Sequence, residues 1–227
     1  MRTRQLLYCA LFAPVAFVAG ALAEGATRPG YSPWRHAVSQ LSLGPGWPVN
    51  VTLLLLGALG LLALAAALPR VPPGGARSRW TPGLIATAGV ALALLALFPI
   101  DPGVGYPPGQ PAVHHWSGLV HGIVGTVLFA ALAAAPLSLD RQVRGRVEWS
   151  PWRRYSLATG FTVALAYLAT VVLSSVDLAG MWTNAPAGLT ERVALIAGFG
   201  WCALLAGRLL ESTAGRPLEH APIGGRS

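Results

Sequence analysis

Six apolar runs, each close to the length of a bilayer crossing, govern what this chain can fold into. They cover about residues 5–23, 51–68, 82–99, 113–135, 155–175 and 189–210. A helix needs roughly 20 apolar residues to cross the hydrocarbon layer. Only helices and closed barrels satisfy their own backbone at that depth, and these runs are too long for barrel strands and lack their alternation. The charged fraction is 11%, against about 25% for a soluble domain. The expected fold is all-α: a polytopic membrane six-helix bundle forming a single transmembrane domain over residues 1–227, with 211–227 as a flexible cytoplasmic tail.

The 16 basic residues are all Arg, and with so much Ala, Gly and Pro this composition points to a bacterial cell membrane. Thirteen of them flank the runs on one side: Arg2 and Arg4, then Arg70, Arg77 and Arg79, then Arg141, Arg144, Arg146, Arg153 and Arg154, then Arg208, Arg216 and Arg226. Three, Arg28, Arg35 and Arg192, fall on the other side. By the positive-inside rule both termini are expected in the cytoplasm. Scattered over short loops, these charges follow topology, and no nucleic-acid partner is expected. The opening "MRTRQLLYCALFAPVAFVAGALA" has the basic start and small-residue end of a signal peptide, but its apolar run is nearly span-length, so an uncleaved first helix is expected. Cys9 and Cys202 lie inside apolar runs without metal-ligand spacing and read as small buried hydrophobes.

The other titratable residues gather on the Arg-poor, exterior side. His36, His114, His115 and His121 lie there, with Glu24, Asp101, Asp177 and Glu191. In "HHWSGLVHG", His114, Ser117, Gly118 and His121 stand at i, i+3, i+4 and i+7, one helical face. His121 then sits about two turns deep, where a polar side chain faces protein or a water-filled cavity. "FPIDPG" stops the third span, with Pro99 and Pro102 bracketing Asp101 at the mouth. "GLTER" opens the sixth. Arg192 is ill placed near the positive end of a helix dipole, so it predicts a carboxylate partner, whether Asp101, Asp177 or Glu24. In "SPWRHAVSQLS", Trp34, Ala37, Val38 and Leu41 repeat at helical spacing, which predicts a short amphipathic helix between spans one and two, lying at the interface like a lid.

"GY" and "SQLSLG" before span two, "FPID" closing span three, the His-bearing start of span four and "GLTER" opening span six occur in the order seen in a bacterial and archaeal membrane family. Over about Leu6–Leu210 the chain resembles that family, catalogued as domain of unknown function 998. The resemblance implies a six-helix integral membrane protein and implies no reaction. Its matching positions are Gly30, Tyr31, Ser39, Leu41, Pro99, Asp101, His121, Gly188, Glu191 and Arg192.

Two classes of function follow. In the first, Asp101, His114 and His121 converge with the Ser39–Ser42 segment in a polar exterior-facing cavity. There His36, Ser42, His114, Ser117, Glu191 and Arg192 bind a lipid or small amphiphile, or serve structure alone. The alternative is a metal-dependent intramembrane hydrolase acting on a lipid-like substrate at the outer leaflet. Its catalytic candidates are Asp101, His121 and Ser39, and Asp101, His114 and His121 are its zinc ligands. Two His at i, i+7 stand about 10 Å apart along a helix, which counts against a shared ion. No span holds a mid-membrane acid for a proton relay, and none shows the paired interrupted segments of a transporter.

Overall fold

The computed structural model describes residues 2–214. Six helices make the fold: α1 (Thr3–Thr27), α2 (Trp47–Ala67), α3 (Trp80–Leu97), α4 (Trp116–Gln142), α5 (Ser150–Leu178) and α6 (Ala187–Ala214). All six are long and apolar enough to cross a membrane. Each packs against its neighbours in sequence, and α6 closes the ring on α1. Short connections between neighbours require this antiparallel order. One end of the bundle therefore carries segments 28–46, 98–115 and 179–186. The other carries the start of α1 and the end of α6 with segments 68–79 and 143–149.

The centre is packed by Phe17 of α1 against Phe199 of α6, ring centroids 4.8 Å apart, and by buried Leu61, Leu64, Leu92, Leu128 and Leu132. The outward face is as apolar as the core: Phe12 is 63% exposed and Leu165 65%. Such a belt is tolerated only against lipid. Where lipid and core are equally apolar, close approach drives helix pairing. A Cβ on Gly60 would lie 2.6 Å from the Pro14 ring, and one on Gly160 would lie 2.8 Å from the Ala133 carbonyl. Those glycines let α2 seat the proline of α1, and α5 seat on α4.

Several boundaries moved from expectation, two of them with a visible cause. Helix α5 begins at Ser150 because Pro151 occupies its first turn, where a missing N–H costs nothing. Helix α4 begins at Trp116, not near residue 113, with His115 as an extended N-cap. The expected 211–227 tail lies largely outside the described residues.

The segment between α1 and α2 is not an amphipathic helix lying on the interface. It makes a turn at Ser32–His36, an extended residue at Ala37, and a single 3₁₀ turn over Val38–Ser42. Tyr31, His36, Val38, Gln40 and Leu41 are all buried, so the segment enters the mouth of the bundle as a plug. The physical reason is capture of its backbone. The carbonyls of Pro33 and His36 and the N–H of Val38 bond to side chains of α6 instead of to one another. Irregular backbone at that depth survives only inside protein.

Candidate functional site

Three arginines pin the plug, and they are the three that depart from the charge pattern of the other thirteen. Arg28 at the end of α1 pairs with Glu24 and donates to the carbonyls of Leu41 at 3.1 Å and Leu43 at 3.2 Å. Gly46 leaves room for its guanidinium. Arg35 forks onto Asp177 at 2.7 and 2.6 Å, the bidentate geometry that makes such pairs strong. Arg192 donates to the carbonyls of Pro33, His36 and Gly188 at 2.8, 3.0 and 2.8 Å, and to the Tyr31 hydroxyl at 2.6 Å. The expected carboxylate partner of Arg192 is thus replaced by carbonyls and a phenol. Beside it, Glu191 accepts the Val38 N–H at 2.5 Å. Burial pushes the Tyr31 phenol up, against the pull of Arg192, so the hydroxyl stays protonated.

His36 is held by its own segment and by the α3–α4 connection. Its Nδ1 accepts the Ser32 N–H at 2.9 Å, so Nε2 carries the proton and donates to the Val104 carbonyl at 3.2 Å. Both nitrogens are spent and no lone pair remains for a metal. Burial and the nearby Arg35 and Arg192 depress its pKa, outweighing the Val104 bond and Asp177. Gln40 donates to the Gly103 carbonyl at 2.8 Å, and Tyr106 packs edge-on against Tyr31 at 5.3 Å. The connection thus folds over the plug.

Asp101 does not meet His114 or His121. Its carboxylate takes the backbone N–H of His115 at 2.8 Å and the His115 ring Nδ1–H at 2.9 Å, capping α4. Burial works against its ionisation, but these two bonds outweigh it and hold the carboxyl below the usual carboxylate range. The later start of α4 is the cause. His114 stands outside the helix and is exposed, so its expected spacing to Ser117 and His121 does not apply. Gly118 gives the Asp101 carboxylate its seat. Neither Ser117 nor Ser42 faces a shared cavity; the Ser42 hydroxyl donates to the Ser39 carbonyl at 2.7 Å.

His121, Ser39 and Glu191 are brought together, around a cavity of about 310 Å³ beneath the plug. Every helix contributes to its wall, from Phe17 of α1 to Leu195 of α6. The wall is mostly apolar, with a belt formed by Ser39, His121, Tyr167, Thr170, Ser174 and Glu191. The His121 ring donates from Nδ1 to the Phe98 carbonyl at 2.6 Å, which leaves Nε2 as an acceptor. Tyr167 bonds Thr126 across α4 and α5 at 2.9 Å, and Thr170 bonds Thr190 across α5 and α6 at 2.8 Å. Gly122, Val171 and Ser175 line the cavity and are also exposed, so it opens sideways between α4 and α5. Tyr167, Thr170 and Ser174 were not among the residues expected. Their spacing of i, i+3 and i+7 in an apolar helix was a readable signal.

The expected zinc ligands are not assembled. Asp101 is a helix cap and His114 is exposed outside α4, so His121, with only its Nε2 free to accept, has neither expected co-ligand beside it. Among the described residues no three of His, Cys, Asp and Glu gather as a metal site. The described residues do not fit a catalytic zinc.

Fold and site define a polytopic six-helix membrane protein, closed at one end by an arginine-pinned plug above a cavity within the bundle. Residues 11–208 match the family model described as "Protein of unknown function (DUF998)". The chain belongs to that family. No curated protein and no solved structure matches it.

Proposed function

We propose that the protein binds a lipid or small amphiphile within the bilayer, in the cavity beneath the plug. The observation that carries this reading is a mostly apolar space with one polar belt, walled by all six helices. Ligand sites share that character, an apolar surround with a few placed polar groups, at ~300–1,000 Å³. A volume of about 310 Å³ suits one chain better than two. The sideways opening at Gly122 and Ser175 offers a route from the lipid phase, while the plug covers the end. The same reading puts the plug at the exterior face and both termini in the cytoplasm, supported by the thirteen-to-three division of Arg.

Native mass spectrometry of protein purified in mild detergent tests the binding. The wild type is expected to carry an amphiphile, and added amphiphile to raise its thermal midpoint. A Cβ at Gly122 meets nothing within 4 Å, so Gly122→Phe can root a bulky side chain at the opening and should lose both effects. Gly83, equally open but away from the cavity, serves as control. Wild-type protein that carries nothing and responds to no amphiphile would leave the plug and cavity a purely structural role.

A further inference from the structure

At the end of the bundle opposite the plug, the connection between α2 and α3 is clamped onto α4. The Gln142 side chain donates to the Ala76 carbonyl at 2.5 Å and accepts from the Thr81 hydroxyl at 3.0 Å. The same hydroxyl meets Ser138 at 3.1 Å. Two hollows flank this clamp. One, of about 430 Å³, is rimmed by Arg77 and Arg79. The other, of about 580 Å³, has Arg141 and Trp80 at its rim and Leu84, Ala134 and Leu137 along its wall. Arg77, Ser78 and Gln142 line both, so the two hollows adjoin as a groove that reaches from the connection to Leu84 of α3 and to Ala134 and Leu137 of α4.

The charge of this groove is unbalanced. Among the described residues no Asp or Glu lines either hollow, and Arg77, Arg79 and Arg141 have no ion-pair partner. Asp140, next in sequence to Arg141, is turned to Arg153 at 2.8 Å and Arg144 at 3.3 Å. Three exposed guanidinium groups lining adjoining hollows with no carboxylate among them attract an anion that enters the groove. The wall below them is apolar, and Trp80, 64% exposed, has the amphipathic ring favoured at headgroup depth.

We propose that this groove binds an anionic phospholipid. Arg77, Arg79 and Arg141 surround its phosphate, and one acyl chain lies along Leu84, Ala134 and Leu137. A free phosphate would answer the charge but leave the apolar wall unused; a lipid answers both. The site is separate from the cavity beneath the plug and does not depend on that reading.

Native mass spectrometry of the full-length protein in neutral detergent tests it, with phosphatidylglycerol, phosphatidylcholine of the same chains, and inorganic phosphate as probes. Phosphatidylglycerol should be retained in preference by roughly tenfold or more, since each juxtamembrane cation adds to the attraction. The R77Q/R79Q/R141Q variant should lose that preference with an unchanged thermal midpoint, because all three side chains are exposed. The R2Q/R4Q/R154Q variant removes equal charge from the same end and should keep it. Bromine-labelled phosphatidylglycerol should quench wild-type fluorescence more than that of Trp80→Phe. Equal retention of the two lipids, equal loss in both triple variants, full displacement by inorganic phosphate, or quenching unchanged by Trp80→Phe would each overturn the assignment.

Discussion

Arg192 of α6 and Tyr31, 161 positions earlier in the chain, meet through a 2.6 Å hydrogen bond from guanidinium to phenol. The guanidinium carbon also stands 5.5 Å from the Tyr31 ring centre. The Tyr31 hydroxyl lies 3.0 and 2.9 Å from the carbonyls of His36 and Ala37. One proton serves both carbonyls, and Arg192 reinforces the His36 carbonyl directly. This contact fastens the plug to the helix ring.

Replacing Arg192 should therefore release the plug. Arg192→Ala takes the donor from the Pro33 carbonyl and one of the donors from the His36 carbonyl, at about 1–3 kcal/mol for a buried group left unpaired, so a loss on the order of 2 kcal/mol is expected. Arg192→Lys should rescue only part, because an ammonium lacks the planar fork. Arg154→Ala, at an exposed position, should change stability by less than about 0.5 kcal/mol. Thermal unfolding in detergent ranks the three, and equal midpoints would contradict the anchoring role.

Two glycines of α6 make a matched pair. A Cβ at Gly188 would run into the carbonyls of Pro33 and His36, whereas one at Gly200 meets nothing within 4 Å. Gly188→Ala should cost about 1–3 kcal/mol by overpacking, while Gly200→Ala should be neutral or slightly stabilising. Hydrogen exchange at residues 36–42 should rise in the first variant alone. Its absence would mean the plug yields without opening.

Asp101→Ala should loosen the start of α4 by about 1 kcal/mol, the usual worth of an N-cap. Amide exchange at residues 115–119 should rise accordingly, with the far end of α4 unaffected. The His114→Ala variant should leave that exchange unchanged, because His115 supplies both bonds to Asp101. Faster exchange in His114→Ala would restore His114 to the site.

Stability should fall as the medium is acidified below about pH 6.5, the ordinary value for His. His36 has a lowered pKa in the folded protein, so below pH 6.5 the unfolded chain takes up a proton that the folded chain refuses. Its contribution is present above that value and is lost as pH falls toward the folded one. Asp101, held low, contributes stability that is lost only under stronger acid. Unfolding midpoints between pH 7.5 and 5.5 should decline in the wild type and decline less steeply in His36→Gln. Identical slopes would assign the decline to other groups.

Orientation can be read by labelling single cysteines in a background lacking Cys9 and Cys202. A membrane-impermeant reagent applied to intact cells should reach a cysteine at Gly109, in the connection above the plug, and miss one at Arg77. The reverse pattern would invert the proposed topology.

The sequence alone determined the six crossings, their alternation and the side on which Arg collects, because apolar length and loop charge are local properties that the bilayer reads directly. It also showed that Asp101 ends a span beneath paired prolines. It could not show that His115, rather than His114, meets Asp101, since that depends on where α4 starts and hence on the capping contact itself. Nor could it show the plug. The spacing of Trp34, Ala37, Val38 and Leu41 is helical, but tertiary partners on α6 outcompete the helix for its carbonyls. The three arginines set apart from the other thirteen carried the signal, yet only the closed ring places Arg192 beside Tyr31 and gathers Ser39, His121 and Glu191 around one cavity. Those relationships join residues far apart in sequence through packing, and packing is decided only when all six helices meet.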